Sequence, residues 1–192
     1  PNVLLRNLGE GRFEPWKQKP VEFYARTSGA VFADLDNDGD LELYSANNCK
    51  GKSSRTEQPQ QTAQLTYSKL FRNDNGKLVD ISEASGACPK TLGTARNIGV
   101  FDYNQDGLLD LLVIEDRFTK NPRSGLFENL GGLKFEDVNQ QVGLPDDLFG
   151  LGLAVADLNG DTRPDFFVGH SNRMFLSSDE GKYRESEALN KT

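Results

Sequence analysis

Two hydrophobic patterns alternate along the chain. The first is a short hairpin that reads apolar-x-apolar-x-Asn, then a glycine-rich turn, then an apolar or aromatic residue. It occurs as LLRNLGEGRF (Leu4–Phe13), LFRNDNGKL (Leu70–Leu78), LFENLGGLKF (Leu126–Phe135) and, less regularly, MFLSSDEGKY (Met174–Tyr183). The second pattern is a pair of apolar strands around an acidic loop. It occurs as GAVFADLDNDGDLELYSA (Gly29–Ala46), IGVFDYNQDGLLDLLVI (Ile98–Ile114) and GLAVADLNGDTRPDFFVG (Gly152–Gly169). Continuous apolar runs such as LLDLLVI (Leu108–Ile114) and FFVG (Phe166–Gly169) suit inner strands covered on both faces by neighbouring sheets. Short buried helices would show similar runs, but loops of Gly, Asn and Asp on either side leave no room for helical turns. The prediction is an all-β chain. In the first complete unit it places strand A at 29–34, B at 41–45, C at 68–72 and D at 77–81.

The patterns repeat in register. The first residues of successive acidic loops, Asp34, Asp102 and Asp157, are 68 and 55 positions apart. Four short strands in such a period exceed a solenoid turn and match a propeller blade. The longer interval contains a polar, aperiodic insertion, Ala46–Leu65. The expected fold is therefore a β-propeller of four-stranded antiparallel blades, read as one segment over 1–192. It comprises a half blade at 1–20 and blades at about 21–85, 86–140 and 141–192. About three and a half blades do not close a ring of the usual four to eight. Two readings follow: the sequence is part of a longer propeller, or two copies assemble as a homodimer. The opening Pro1 and the lack of a signal-like segment fit a processed chain or a piece of a longer one.

The loops carry the candidate chemistry. Each offers side-chain oxygen at positions 1, 3, 5 and 9. These are Asp34, Asp36, Asp38 and Glu42; Asp102, Asn104, Asp106 and Asp110; and Asp157, Asn159, Asp161 and Asp165. Position 7, held by Asp40, Leu108 and Arg163, would supply a backbone carbonyl, since its identity varies freely. Hard oxygen donors at alternating positions suit Ca²⁺, which takes six to eight of them in tolerant geometry. Zinc and copper are disfavoured without His or Cys in the set, and Mg²⁺ prefers fewer protein oxygens. An EF-hand is excluded because position 12 holds Ser45, Val113 and Val168 rather than a bidentate Glu, and the flanks read as strands. Gly39 and Gly107 at position 6 relieve the bend; in the third loop Thr162 stands there, and Gly160 is expected to absorb the strain.

Charge fits this reading. The formal net charge is -7, and the candidate ligands include ten carboxylates; three Ca²⁺ would bring the net to -1. The acidity argues against a nucleic-acid partner, and no apolar run is long enough to span a bilayer.

With these motifs in view, GVFDYNQDGLLDLLV and FGLGLAVADLNGDTRPDFFVG resemble the FG-GAP/VCBS repeats of integrin α-chain propellers. LFRNDNGKLVDISEASG and LFENLGGLKFEDVNQQVGL are similar to the ASPIC/UnbV, cartilage-acidic-protein-like branch, and Phe149-Gly150 followed by Ala154 echoes the FG-GAP motif itself. The resemblance implies blades with calcium held in the A–B hairpins on one rim. In a propeller the B–C and D–A connections lie on the opposite rim. Cys49 and Cys88 would share that face, alongside the insertion and EDRFTKNPRS (Glu115–Ser124), which favours a disulfide between them over the alternative of two free buried thiols.

The function expected first is a non-catalytic, calcium-stabilised module that binds a protein partner. A carbohydrate-binding propeller is the second reading, with Trp16, Tyr67 and Phe118 as candidate stacking residues. An accessory domain of a polysaccharide-acting enzyme is the third. Nothing supports catalysis, because His170 is the single histidine and no nucleophile–base arrangement is visible. Weak calcium sites fill outside the cytosol, which points to a secreted, periplasmic or luminal location.

Overall fold

The computed structural model describes residues 2–49, 66–117 and 122–187. Its strands fall where the two patterns place them. A hairpin of β1 (Leu5–Gly9) and β2 (Arg12–Pro15) precedes a sheet of β3 (Thr27–Ala33), β4 (Glu42–Asn47), β5 (Lys69–Asp74) and β6 (Lys77–Asp80). A second sheet holds β7 (Ala95–Phe101), β8 (Asp110–Glu115), β9 (Gly125–Asn129) and β10 (Phe135–Asp137). The third holds β11 (Gly152–Ala156), β12 (Asp165–Gly169), β13 (Arg173–Ser177) and β14 (Tyr183–Glu185). Each sheet runs in sequence order with antiparallel neighbours. The fold is all-β, three four-stranded blades and a two-stranded hairpin in propeller-like succession.

Two short helical turns, Ser82–Ser85 and Asn139–Val142, follow the outer strands, contrary to the expectation that none would fit. Both end on a left-handed glycine, Gly86 and Gly143, which stops the helix after one turn. Buried Ser82 and Asn139 open these turns and accept the N–H of Leu70 and Leu126, tying each turn to its strand C.

The blades stack through apolar faces. Tyr44 and Leu70 of the first blade meet Leu111, Val113 and Phe127 of the second. On the other side of that blade, Leu112, Ile114 and Leu126 meet Phe166, Val168 and Phe175. A buried side chain of this size stabilises by about 1.5–3 kcal/mol, so stacking is the main source of stability. Every residue of β4 and β8 is buried, as expected for strands covered on both faces. The innermost strands differ. β3 is largely exposed, including Phe32, because among the described residues nothing covers its second face. The innermost strands approach closely: a methyl group at Gly99 of β7 would lie 2.9 Å from Leu153 Cδ2 of β11.

Cys49 and Cys88 are not bonded to each other, so the favoured disulfide is not formed and the alternative of two thiols holds. The Cys49 thiol donates to the Gly93 carbonyl at 3.2 Å. Cys88 sits beside Tyr44, where burial pushes its thiol up to about 12. Asn47 completes β4 and Asn48 bridges to Thr94, so the first residues assigned to the insertion belong to the sheet. The remainder of the insertion, 50–65, and Phe118 lie outside the described residues.

Candidate metal centres

All three acidic loops join strand A to strand B and share one hydrogen-bond plan. The carboxylate at position 1 accepts the N–H groups of positions 5 and 6. Asp34 takes Asp38 and Gly39, Asp102 takes Asp106 and Gly107, and Asp157 takes Asp161 and Thr162, at 2.9–3.2 Å. Position 5 accepts the N–H of position 7, with Asp38, Asp106 and Asp161 bonded to Asp40, Leu108 and Arg163 at 2.8–2.9 Å. Short polar side chains bonding their own backbone in this way set the turn without help from the rest of the fold.

Position 9 opens strand B and is fully buried in each blade, as Glu42, Asp110 and Asp165. One oxygen accepts the N–H of loop position 2, from Leu35, Tyr103 or Leu158, at 2.9 Å. The other accepts a strand C N–H, from Asn73 at 3.2 Å, Asn129 at 2.8 Å or Ser177 at 2.7 Å. This carboxylate therefore bolts the loop to the third strand. The oxygens of Glu42 and Asp110 each retain a lone pair for a further partner, whereas Asp165 Oδ1 also accepts the Ser177 hydroxyl at 3.0 Å. The asparagine of the hairpin pattern is thus functional in two blades, a role the sequence reading did not assign. Asn129 also donates to the carbonyls of Leu109 at 3.0 Å and Leu35 at 2.7 Å, the second bond crossing to the first blade's loop. Its signal was the recurrence of Asn at one hairpin position.

Position 4 is left-handed throughout, with φ of 60° at Asn37, 63° at Gln105 and 82° at Gly160. Position 6 is left-handed too, and Thr162 adopts φ 69° there. Gly160 therefore does not relieve Thr162: each of the two bends needs its own positive φ, and a β-branched residue occupies one. The loops are also linked. Asn37 Nδ2 donates to the Gly107 carbonyl at 3.1 Å, and Gln105 Nε2 to the Thr162 carbonyl at 3.2 Å.

The loops part at position 3. Asn104 Nδ2 donates to Asp106 Oδ2 at 3.0 Å and Asn159 Nδ2 to Asp161 Oδ2 at 2.9 Å, so an amide proton offsets the neighbouring carboxylate. In the first loop Asp36 stands there. Its Oδ1 is buried with no hydrogen-bond partner. Burial, with Asp38 beside it, pushes its carboxyl above the usual range. Oxygens of Asp34, Asp36 and Glu42 lie within 4.8 Å of one another, the one such acidic trio among the described residues. Burial also raises Glu42, and lifts Asp110 to about 7 against the bonds from Asn129 and Tyr103. A desolvated oxygen in a converging all-oxygen set fits a hard divalent cation.

Residues 1–45 match the FG-GAP-like repeat. That span takes in the β1–β2 hairpin, β3, the first acidic loop and the start of β4. The second and third units lie beyond the FG-GAP-like match yet repeat its strand order and loop bonding. No curated protein matches the chain. No helix among the described residues is long and apolar enough to cross a membrane.

Proposed function

We propose that the chain is a non-catalytic protein-interaction scaffold whose blades are stabilised by up to three Ca²⁺, one in each acidic loop. The observation that carries the reading is the unpartnered, buried Asp36 Oδ1 facing Asp34 and Glu42. In the first loop Asp34, Asp36, Asp38 and Glu42 would hold the ion with the carbonyl of Asp40. Asp102, Asn104, Asp106, Asp110 and Leu108 would serve in the second, and Asp157, Asn159, Asp161, Asp165 and Arg163 in the third. The ion would neutralise carboxylates that otherwise repel one another, so its role is structural. The FG-GAP-like match supports a protein partner and an extracytoplasmic setting, where millimolar calcium fills even weak sites. The closer likeness to integrin α-chain and ASPIC/UnbV propellers belongs to the same proposal.

Melting the protein in excess calcium and again in chelator tests this. Each site filled at a hundred times its Kd contributes about 2.7 kcal/mol, so a rise in Tm of several degrees is expected. An unchanged Tm, with metal analysis showing calcium absent from both samples, would reduce the loops to acidic turns.

One observation favours a glycan as the second reading. On the rim away from the loops, Phe23, Tyr24 and Tyr67 line a cavity of about 390 Å³ beside Lys69, Glu83 and Lys90. Aromatic rings among hydrogen-bonding groups suit a sugar face. Saturable quenching of tyrosine fluorescence by oligosaccharides, lost in Tyr67→Ala, would support this reading over the first.

A further inference from the structure

The loops differ at position 3, and strand C differs at one position beside it. Arg72, Glu128 and Leu176 hold the same register there. Each follows a fully buried phenylalanine (Phe71, Phe127 and Phe175) and pairs with the middle of strand D, at Val79, Glu136 and Arg184. In the second blade this residue touches the loop. Asn104 Nδ2 donates to Glu128 Oε1 at 3.3 Å, and the Tyr103 hydroxyl of position 2 donates to Glu128 Oε2 at 3.0 Å. In the first blade Arg72 lines one cavity with Asp36. Asp74, bonded at 2.6 and 2.9 Å, and then the charges of Asp36 and Glu42 push the Arg72 guanidinium above its usual range. Leu176 offers the third loop no polar group. An acid at position 3 thus meets a cation, one amide meets an acid, and the other amide meets neither.

The sheet itself does not explain the charge on Glu128. Its cross-strand neighbour is Glu136, and like charges directly opposite one another destabilise a strand pair. Its hydrogen-bond partners among the described residues, the Asn104 amide and the Tyr103 hydroxyl, are both neutral donors on the loop. Half-buried Glu128 is therefore committed to the loop rather than to its own strands.

We infer that Glu128 is a positioning residue of the second metal centre, acting through Asn104 and making that site tighter than the third. It holds Asn104 Nδ2 outward, leaving Oδ1 on the loop side, where it accepts the Asp106 N–H at 3.1 Å. It also adds a fourth negative charge to those of Asp102, Asp106 and Asp110. Outer acceptors of this kind fix the orientation of a metal ligand and raise affinity for the ion. Asn159 makes the same inner bonds, to the Asp161 carboxylate and from the Asp161 N–H, each at 2.9 Å. On its strand C, however, Leu176 replaces the outer acceptor. Position 3 alone, an asparagine in both loops, would make the two sites equal. The inference rests on the proposed calcium reading and deepens it.

Calcium titrations followed by the amide resonances of Gly39, Gly107 and Thr162 test it, because each reports one loop from position 6. In the parent, Gly107 should respond at lower calcium than Thr162. Glu128→Gln keeps an acceptor and removes the charge, and should weaken the site read at Gly107 about tenfold. Its Tm in chelator should hold or rise, since the repulsion from Glu136 is relieved. The reverse exchange, Leu176→Glu, should tighten the site read at Thr162 by about twofold to fivefold. A residue that only braced the fold would behave otherwise: Glu128→Gln would lower Tm in chelator and leave the Gly107 curve in place, which overturns the inference. Should Glu128→Gln fail to fold, an unchanged Thr162 curve in Leu176→Glu overturns it instead. Calcium responses that are present in the parent and unmoved in both variants defeat this inference alone. Amides that ignore calcium in the parent defeat the calcium reading and this inference together.

Discussion

The first and third acidic loops have nearly the same backbone and treat charge differently. Asp157 and Asp161 lie next to the amide of Asn159, whose Nδ2 reaches Asp161 at 2.9 Å. Asp34 and Asp38 lie next to another carboxylate, Asp36, with a desolvated oxygen and no donor for it. Backbone N–H groups, Thr162 first among them, hold Asp157 below the usual carboxylate range, while burial pushes Asp36 above it. The third loop is thus largely self-neutralising. The first leaves a buried carboxylate oxygen without a donor; under the proposed calcium reading that loop would be the stronger site and, without metal, the less stable one. What the loops share, the buried acid at position 9, should behave alike in all of them; what they do not share should separate them by experiment.

The largest effect is expected where they agree. Asp110→Ala strips the partner from two N–H groups, Tyr103 and Asn129, inside the stacked core. Orphaning both costs on the order of 2–5 kcal/mol. Urea denaturation should show this loss in chelator as well as in calcium. A loss confined to calcium would make position 9 a ligand only, with no bracing role between loop and strand C.

Asp36→Asn should turn the first loop into a copy of the third. It removes the like-charge contact, so the metal-free protein should gain roughly 0.5–1 kcal/mol. It also removes one anionic ligand, and calcium affinity at that loop should fall about tenfold, or ~1.4 kcal/mol. Calorimetric titration reads both halves. Equal affinity in the variant and the parent would mean that Asp36 does not face the ion.

Much of this arrangement was legible in the sequence because the loops and strands are locally encoded. Asp34 and Asp38 bond their own turn, and continuous apolar runs mark β8 and β12 whatever surrounds them. The missed features depend on other strands. Asn129 earns its role from Asp110 and Leu35, one on the neighbouring strand and one on another blade. The exposure of β3 depends on what lies beyond its open face, and the one-turn helices depend on Ser82 and Asn139 reaching back to strand C. Pairing of Cys49 with Cys88 was inferred from a shared rim, but a shared rim does not bring two thiols into contact; each has a separate neighbour. The strain at Thr162 is not visible in the motif because the loop bends twice, at Gly160 and again at Thr162.

Thr162→Gly addresses the remaining difference in backbone. A β-branched side chain at φ 69° costs about 1–2 kcal/mol in the folded state. Glycine offsets part of that gain through its freer unfolded chain, leaving a net stabilisation of roughly 0.5–1 kcal/mol. Thermal melts in chelator would register it without interference from calcium, and a lower Tm would mean that the threonine makes a compensating contact.

The smallest effect concerns the link between loops. Asn37→Gly keeps a residue at ease with φ 60° while deleting the bond to the Gly107 carbonyl. Because that bond is exposed, its loss should cost only about 0.5–1 kcal/mol. Its value lies in what else it changes. Gly107 is the bend residue of the second loop, and its N–H is held by Asp102 at 2.9 Å. Ordering the first loop around an ion should therefore also order the second through Asn37, and the second should order the third through Gln105. Calcium titrations of the parent and of Asn37→Gly compare these couplings directly. The expected result is an unchanged first affinity and a second site weakened by about twofold to fivefold. Identical titration curves would show three loops that fill independently, with the cross-loop bonds serving only to hold adjacent blades in register.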